Sequence, residues 1–434
     1  MDSEDEPVRT QRRDLAVWLL LGAVGLTVTA VAVFADARLG TASPPFLGRY
    51  QMRVSPALLL AGLVAGAVLA LGLRGTFDLM PWPRLIAVSY LASLAWTVSL
   101  ALTGGLAGIT GPLTDPDGAA TDIGDIGDDP YGWLRGFTGS GQSHSPHTRG
   151  HPPGPVLLLW TMHRIGVTDD LALGLLLTAG GVLTVPLVLT AVRNACGELN
   201  ARRYLPVVVL APYALWAVHP DSLVATLGAA MIVVGAWATR KRGWRAAVGG
   251  LGSGVLLGLA AMFGYAAAWL GLSVICLYFA RRRPLLNMLT GVGVLVPVLI
   301  AEALGFSWVD GMIAAYADYA ERVEPYRSGW WWAALSLVAL LWVTGPVLVA
   351  SLRKVRNTPA WPFLVGAGAA VVFSLSAGFA RGGIEHAWLA FFPWLTVAAV
   401  APSRQGGPQV PAPLLLTAAG AAVALLLAAV IKAS

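Results

Sequence analysis

The sequence predicts an all-α, polytopic membrane protein, and three observations carry that prediction. Of 434 residues, 56% are hydrophobic and 12% are charged, against about 25% charged in an ordinary soluble protein. Apolar runs of about 20 residues, the length that crosses a bilayer as a helix, recur along the whole chain. The runs are continuous and do not alternate with polar residues, which excludes an outer-membrane barrel. The same composition excludes a soluble globular enzyme, a disordered chain and a disulfide scaffold.

Taken in order, spans are expected near 15–34, 55–73, 85–103, 170–191, 204–218, 221–238, 246–263, 265–280, 285–304, 330–350, 360–379, 387–401 and 411–431, 13 in all. The first run is too long for the core of a signal peptide and reads as a retained span. The chain then divides into a cytoplasmic N-terminal tail (1–14), three spans (15–103), an external loop (104–169), a helical block (170–304), a second external segment (305–329) and C-terminal spans (330–434). Cys196 sits beside a basic turn and Cys276 inside an apolar run, so no disulfide is expected.

Lys and Arg between the spans set the orientation. Arg9, Arg12 and Arg13 place the N-terminus in the cytoplasm. Alternation then puts these clusters inside: Arg193, Arg202 and Arg203; Arg240, Lys241, Arg242 and Arg245; Arg281, Arg282 and Arg283; Arg353, Lys354 and Arg356. With Arg74, Arg84 and Arg404 the inside set is 19 of 29 basic residues, and all six His fall outside. The expected location is the plasma membrane, multi-pass. The net charge of +6 is thereby a topology signal, and no nucleic-acid partner is expected.

The apolar stretch 153–166 tests the assignment. If it crossed the membrane, every later basic cluster would move outside. It is therefore expected to lie in the interface as a short helix, with Trp160, His163 and Arg164 on its wet face.

Polarity concentrates in the external loop before that helix. Asp115, Asp117, Asp122 and Asp125 lie in a Gly-rich stretch that reads as a flexible acidic linker. Asp128-Asp129-Pro130-Tyr131 is a more shaped feature. Either carboxylate suits a general base acting on an acceptor hydroxyl; equally, either suits an N-cap for a helix beginning near Pro130. His144, His147 and His151 are spaced three and four apart, as a helical metal site would need. Ser145-Pro146 and Pro152-Pro153 argue against a helix there, so His151 is read as a hydrogen-bonding loop residue and no metal ligands are assigned.

These motifs, in this order, resemble the GT-C superfamily of membrane glycosyltransferases. The similarity is to the protein O-mannosyltransferase and aminoarabinose-transferase branch and to actinobacterial polyprenyl-phosphate-dependent transferases. An acidic pair followed by Tyr opens the first large loop of that branch, matched by Asp128, Asp129 and Tyr131. A basic or His residue then precedes a Pro-Pro segment and a juxtamembrane helix, matched by His151-Pro152-Pro153-Gly154. Two weaker echoes are His219-Pro220-Asp221 at the start of a span, and Arg381-Gly382-Gly383-Ile384-Glu385-His386-Ala387-Trp388 followed by Pro393. The Ala-, Gly-, Arg- and Val-rich composition fits a GC-rich actinobacterial source.

The resemblance implies a GT-C-like fold with interfacial helices in a catalytic first external loop. It implies inverting transfer of a sugar from a polyprenyl-phosphate donor to an acceptor at the outer face. On that reading Asp128, with Asp129 second, is the base. Tyr131, Arg149, His151, Arg381, Glu385 and His386 are the substrate-binding set, Arg149 and Arg381 facing the leaving phosphate. The partners are the lipid-linked donor, membrane lipid and an unidentified acceptor. No cofactor is assigned, and a divalent metal stays open. Glu302, near the end of a span, is a further candidate. An amphipathic helix is expected over 309–323. The competing reading is a transporter or flippase, which would place ionisable groups at mid-membrane depth; this chain carries almost none there.

Overall fold

The computed structural model describes residues 5–139, 143–355, 358–402 and 410–432. Arg356 and Arg404, counted above among the inside cluster, lie outside the described residues. Among those residues the one strand pairing is Arg49–Tyr50, antiparallel to Ile431–Lys432. Everything else regular is helical, as the continuous apolar runs require.

Among the described residues, seven helices are long and apolar enough to cross a membrane: Val8–Phe34, Pro56–Leu73, Trp82–Gly104, Asp170–Cys196, Ser222–Thr239, Trp244–Ala261 and Leu285–Leu304. An eighth is present if Gly329–Thr344 and Val347–Arg353, bent by 106° at their junction, count as one. Tyr265–Ala280, Trp361–Ser376 and Leu414–Val430 are shorter apolar helices. The protein is thus a helical membrane protein.

Two of the expected spans take another form. Over 204–218 the chain ends the helix Glu198–Val209 and continues as the short turn Pro212–Trp216. Over 387–401 it forms only Phe392–Thr396 and Val397–Ala399. Both segments lie in the core: Tyr204 and Phe392 are 0% exposed, and the Tyr204 and Thr396 hydroxyls meet at 2.6 Å. An apolar run reads alike whether it faces lipid or is packed inside protein, and Pro212 and Pro393 interrupt these two.

The first helix begins at Asp5, within the segment read as a tail. Asp14, 3% exposed, is gripped through both oxygens by Arg353, at 3.1 and 2.9 Å. The basic clusters gather around this end of the bundle. Arg240 and Arg281 both donate to the Asn194 carbonyl, Arg283 to that of Lys241, and Lys354 to that of Ala399. The segments read as external collect at the other end. There the Ser328 amide donates to the Arg38 carbonyl at 2.8 Å, and Arg149 Nε pairs with Asp318 at 3.0 Å.

The stretch 153–166 forms the helix Gly154–Arg164, of 11 residues. At about 1.5 Å per residue it is near 16 Å long, too short for a hydrocarbon core of about 30 Å. Its Val156 and Leu159 pack on Leu113, Ile126, Leu173 and Leu177, while Trp160 donates to the Gly127 carbonyl at 3.0 Å. The amphipathic helix expected over 309–323 is Trp308–Arg322, capped by Ser307.

Candidate functional site: a buried carboxylate ringed by imidazoles

Three segments far apart in sequence meet around Asp221, which is 8% exposed. Asp221 ends a tight turn in which the His219 amide donates to the Trp216 carbonyl and the Ser222 amide to the His219 carbonyl. It immediately precedes the helix Ser222–Thr239, so it lies outside the spanning segment.

The second segment is the helical turn Pro146–Gly150. This corrects the expectation that Pro146 forbids a helix. Pro146 stands at the first helical position, where a missing N–H costs nothing because that donor has no partner in the helix. Ser145 caps the turn, its Oγ accepting from the Thr148 amide. Asp122 in turn holds Ser145: the Ser145 hydroxyl donates to its carboxylate at 2.8 Å and the Ser145 amide at 3.0 Å. The stretch read as a flexible linker is therefore ordered, with helices Ala107–Thr114 and Ile123–Ile126, and Asp122 is 2% exposed. One turn brings residues four apart onto one face. His147 and His151 accordingly stack, ring centroids 4.0 Å apart and 4° from parallel.

Both rings present Nε2 to the same oxygen, Asp221 Oδ1, at 3.5 Å from His147 and 3.4 Å from His151. The other oxygen, Oδ2, faces His219 Nδ1 at 3.3 Å. The third segment contributes His386, from the turn Ile384–Ala387, its ring centroid 4.4 Å from that of His219. Asp221 Oδ1, both nitrogens of His147, and Nδ1 of His219 and of His386 are buried without a well-aligned hydrogen-bond partner.

Burial and mutual charge set the protonation states. Burial, then the neighbouring His151, pushes His147 down to about 4 despite Asp221. Burial, then His219, pushes His386 down to about 3. Burial also works against charge on His151, but the Asp221 carboxylate outweighs it and raises that imidazole. Burial opposes charge on Asp221 as well, yet His151 and the other imidazoles that face it hold its carboxyl well below the usual range. Next to His386, burial lifts Glu385 to about 7, where its Oε1 accepts from the Leu47 amide at 3.2 Å.

Two overlapping groups have metal-binding geometry, His147 with His151 and Asp221, and His219 with Asp221 and His386; in each, the ligand atoms lie within 4.8 Å of one another. A third, Asp122 with Asp125 and His144, overlaps the Asp122–Ser145 cap. A narrow cleft reaches the cluster, lined by Arg53, Thr103, Gly104, Trp216, His219 and His386. A larger cavity of about 230 Å³ opens at the basic end, beside Asp78, Arg202 and Arg203. Size alone does not make it the site: its charged groups are already engaged, Arg203 with Asp78 at 3.5 Å and Arg202 with the Phe77 carbonyl at 2.8 Å.

The residues singled out from sequence divide. His151 and His386 are in the cluster, and Glu385 adjoins it. Arg149 lies next to it in the chain but is engaged, Nε with Asp318 and Nη1 with the His144 carbonyl at 2.6 Å. Arg381 is a strut: its three nitrogens bond Gly378, Glu324 and Arg327. Asp128 stands at the surface with 88% of its side chain exposed, paired with Arg164 at 2.7 Å. Asp129 caps the helix Pro130–Gly136, accepting from the Gly132 amide at 2.8 Å. Tyr131 is 55% exposed on that helix. His147, His219 and Asp221 were missing from the sequence-derived site. The signal for Asp221 was available, since an ionisable residue at the mouth of a span is a functional candidate.

Fold and site together define a helical membrane protein with a His–Asp cluster buried at one end of its bundle. Compared with known families, curated proteins and solved structures, the chain matches no family model, no curated protein and no solved structure.

Proposed function

We propose that the protein is a membrane glycosyltransferase of GT-C type, moving a sugar from a polyprenyl phosphate to an acceptor hydroxyl at the extracytoplasmic face, with the Asp221 cluster as its active site. The observation that carries this reading is the convergence itself. The Pro-Pro loop segment, the His-Pro-Asp turn and the Glu-His turn, each singled out by the resemblance, supply His151, Asp221 and His386 to one place.

The chemistry follows from the atoms present. A carboxylate accepting Nδ1–H holds an imidazole in the tautomer whose Nε2 carries the lone pair. Asp221 Oδ2 faces His219 Nδ1, and His219 borders the cleft, so His219 Nε2 is the base. It takes the proton of the acceptor hydroxyl as that oxygen attacks the anomeric carbon. The bond from that carbon to the phosphate oxygen breaks, and its electron pair leaves with the polyprenyl phosphate. Arg53, on the same cleft, supplies positive charge for the departing phosphate. Arg149 and Arg381 hold the loops that roof the site.

The test is transfer of radiolabelled sugar from a panel of polyprenyl-phosphate donors in membranes containing the protein. Wild type is expected to incorporate label. Losing a general base typically costs about 100- to 10,000-fold, and His219→Gln is expected to fall in that range with an unchanged melting temperature. A His219→Gln protein that transfers at the wild-type rate removes the base from this reading.

A further inference from the structure

We infer that His147, His151 and Asp221 form a binding site for a divalent transition cation of the zinc class. The argument starts from the unsatisfied atoms. His151 Nδ1 lies 2.8 Å from the His147 carbonyl. A carbonyl only accepts, so Nδ1 carries the hydrogen and Nε2 of the neutral ring carries a lone pair. That lone pair points at Asp221 Oδ1, itself an acceptor, 3.4 Å away. His147 Nε2 lies 3.5 Å from the same oxygen, and both nitrogens of that ring, like Asp221 Oδ1, are buried without a well-aligned partner. A hydrogen on each Nε2 would leave His151 as a buried imidazolium stacked at 4.0 Å on a second imidazole. One cation between the three atoms satisfies all of them.

The spacing agrees. Two ligand atoms each about 2.0–2.1 Å from a zinc ion, at the tetrahedral angle, stand about 3.3–3.4 Å apart. The observed nitrogen–oxygen separations of 3.4 and 3.5 Å are close to that. Two imidazoles four residues apart, one on a helical turn and one at its end, with a carboxylate from elsewhere supply a donor set that suits zinc, and three protein ligands leave a further position open. The outer contacts are in place too: the His147 carbonyl orients His151, and Asp221 turns its second oxygen to His219. Such contacts fix ligand rings and tune the metal.

This deepens the transferase reading of the same site, but its test does not depend on transfer. Full-length protein purified in detergent without chelator is assayed for bound metal by mass spectrometry. It is then stripped and titrated with Co(II), reading the visible absorption bands. About one ion per chain is expected in wild type, falling at least tenfold in His147→Ala and in His151→Ala and persisting in His386→Ala. Loss in His386→Ala with retention in His147→Ala overturns this ligand set. A wild type with neither metal nor Co(II) bands overturns the site. Where a His variant does not fold, X-ray absorption of the wild-type zinc form decides, two imidazoles in the ligand shell supporting the assignment and none or four refuting it. Metal bound without transfer from any donor refutes the reaction and leaves the site. Transfer by a wild type that binds neither metal nor Co(II) refutes the site and leaves the reaction.

Discussion

Asp221 and Asp128 show what decides the role of a carboxylate. Both precede a helical segment in a Pro-containing turn. One is buried among four imidazoles; the other stands in solvent beside Arg164, where an ion pair is worth about 0–1 kcal/mol. Sequence marks both as acidic residues near a membrane surface, and only the path of the chain between them separates the cases. The nearer neighbour of Asp128 illustrates the same limit. Asp129 was legible equally as a base and as a cap, and it caps. Asp129→Ala is accordingly expected to lower stability by about 1 kcal/mol, while Asp129→Asn, an equally good cap, leaves it unchanged. Thermal melting in detergent checks both. An Asn variant as unstable as the Ala variant would mean that the charge matters and the cap does not.

At the scale of elements, helices were legible where apolar runs face lipid and less so where they face protein. The expected span 285–304 coincides with Leu285–Leu304, whereas 387–401 is buried chain broken at Pro393. Small residues explain several close approaches that hydropathy does not register. A side chain at Gly154 would stand 2.2 Å from the Met262 carbonyl, so the Gly after the Pro-Pro pair is what lets the helix Gly154–Arg164 dock by its backbone. The helices Trp244–Ala261 and Leu285–Leu304 touch in the same manner. A Cβ on Gly254 would lie 2.0 Å from the Thr290 carbonyl, and one on Gly293 would lie 2.2 Å from that of Leu251. Small residues at helix interfaces in membranes permit this contact. Gly254→Val is expected to push the pair apart and cost about 1–3 kcal/mol, read as a lower melting temperature in detergent. An unchanged melting temperature would show that the interface yields.

Across the whole molecule the basic clusters read as internal and the His cluster occupy opposite ends of one bundle. The separation was readable from charge alone, because Lys and Arg were sorted by alternation before any contact was known. The convergence of His147, Asp221 and His386 was not readable, since it depends on how three loops fold over the bundle end. By the positive-inside rule the basic end is expected to be the cytoplasmic one. In a variant lacking Cys196 and Cys276, a cysteine at Asp128 is expected to react with a membrane-impermeant maleimide in intact cells, and one at Arg242 only after permeabilisation. The reverse pattern would invert the molecule and move the site to the cytoplasm.

The central claim is that chemistry happens at Asp221 and not at the exposed acidic pair. Transfer from polyprenyl-phosphate sugars, measured side by side for Asp221→Asn and Asp128→Asn at matched expression, tests it most directly. The account predicts that Asp221→Asn loses transfer at least 100-fold while Asp128→Asn keeps the wild-type rate. Full activity in Asp221→Asn, with loss in Asp128→Asn, would contradict it and return the active site to the surface of the loop.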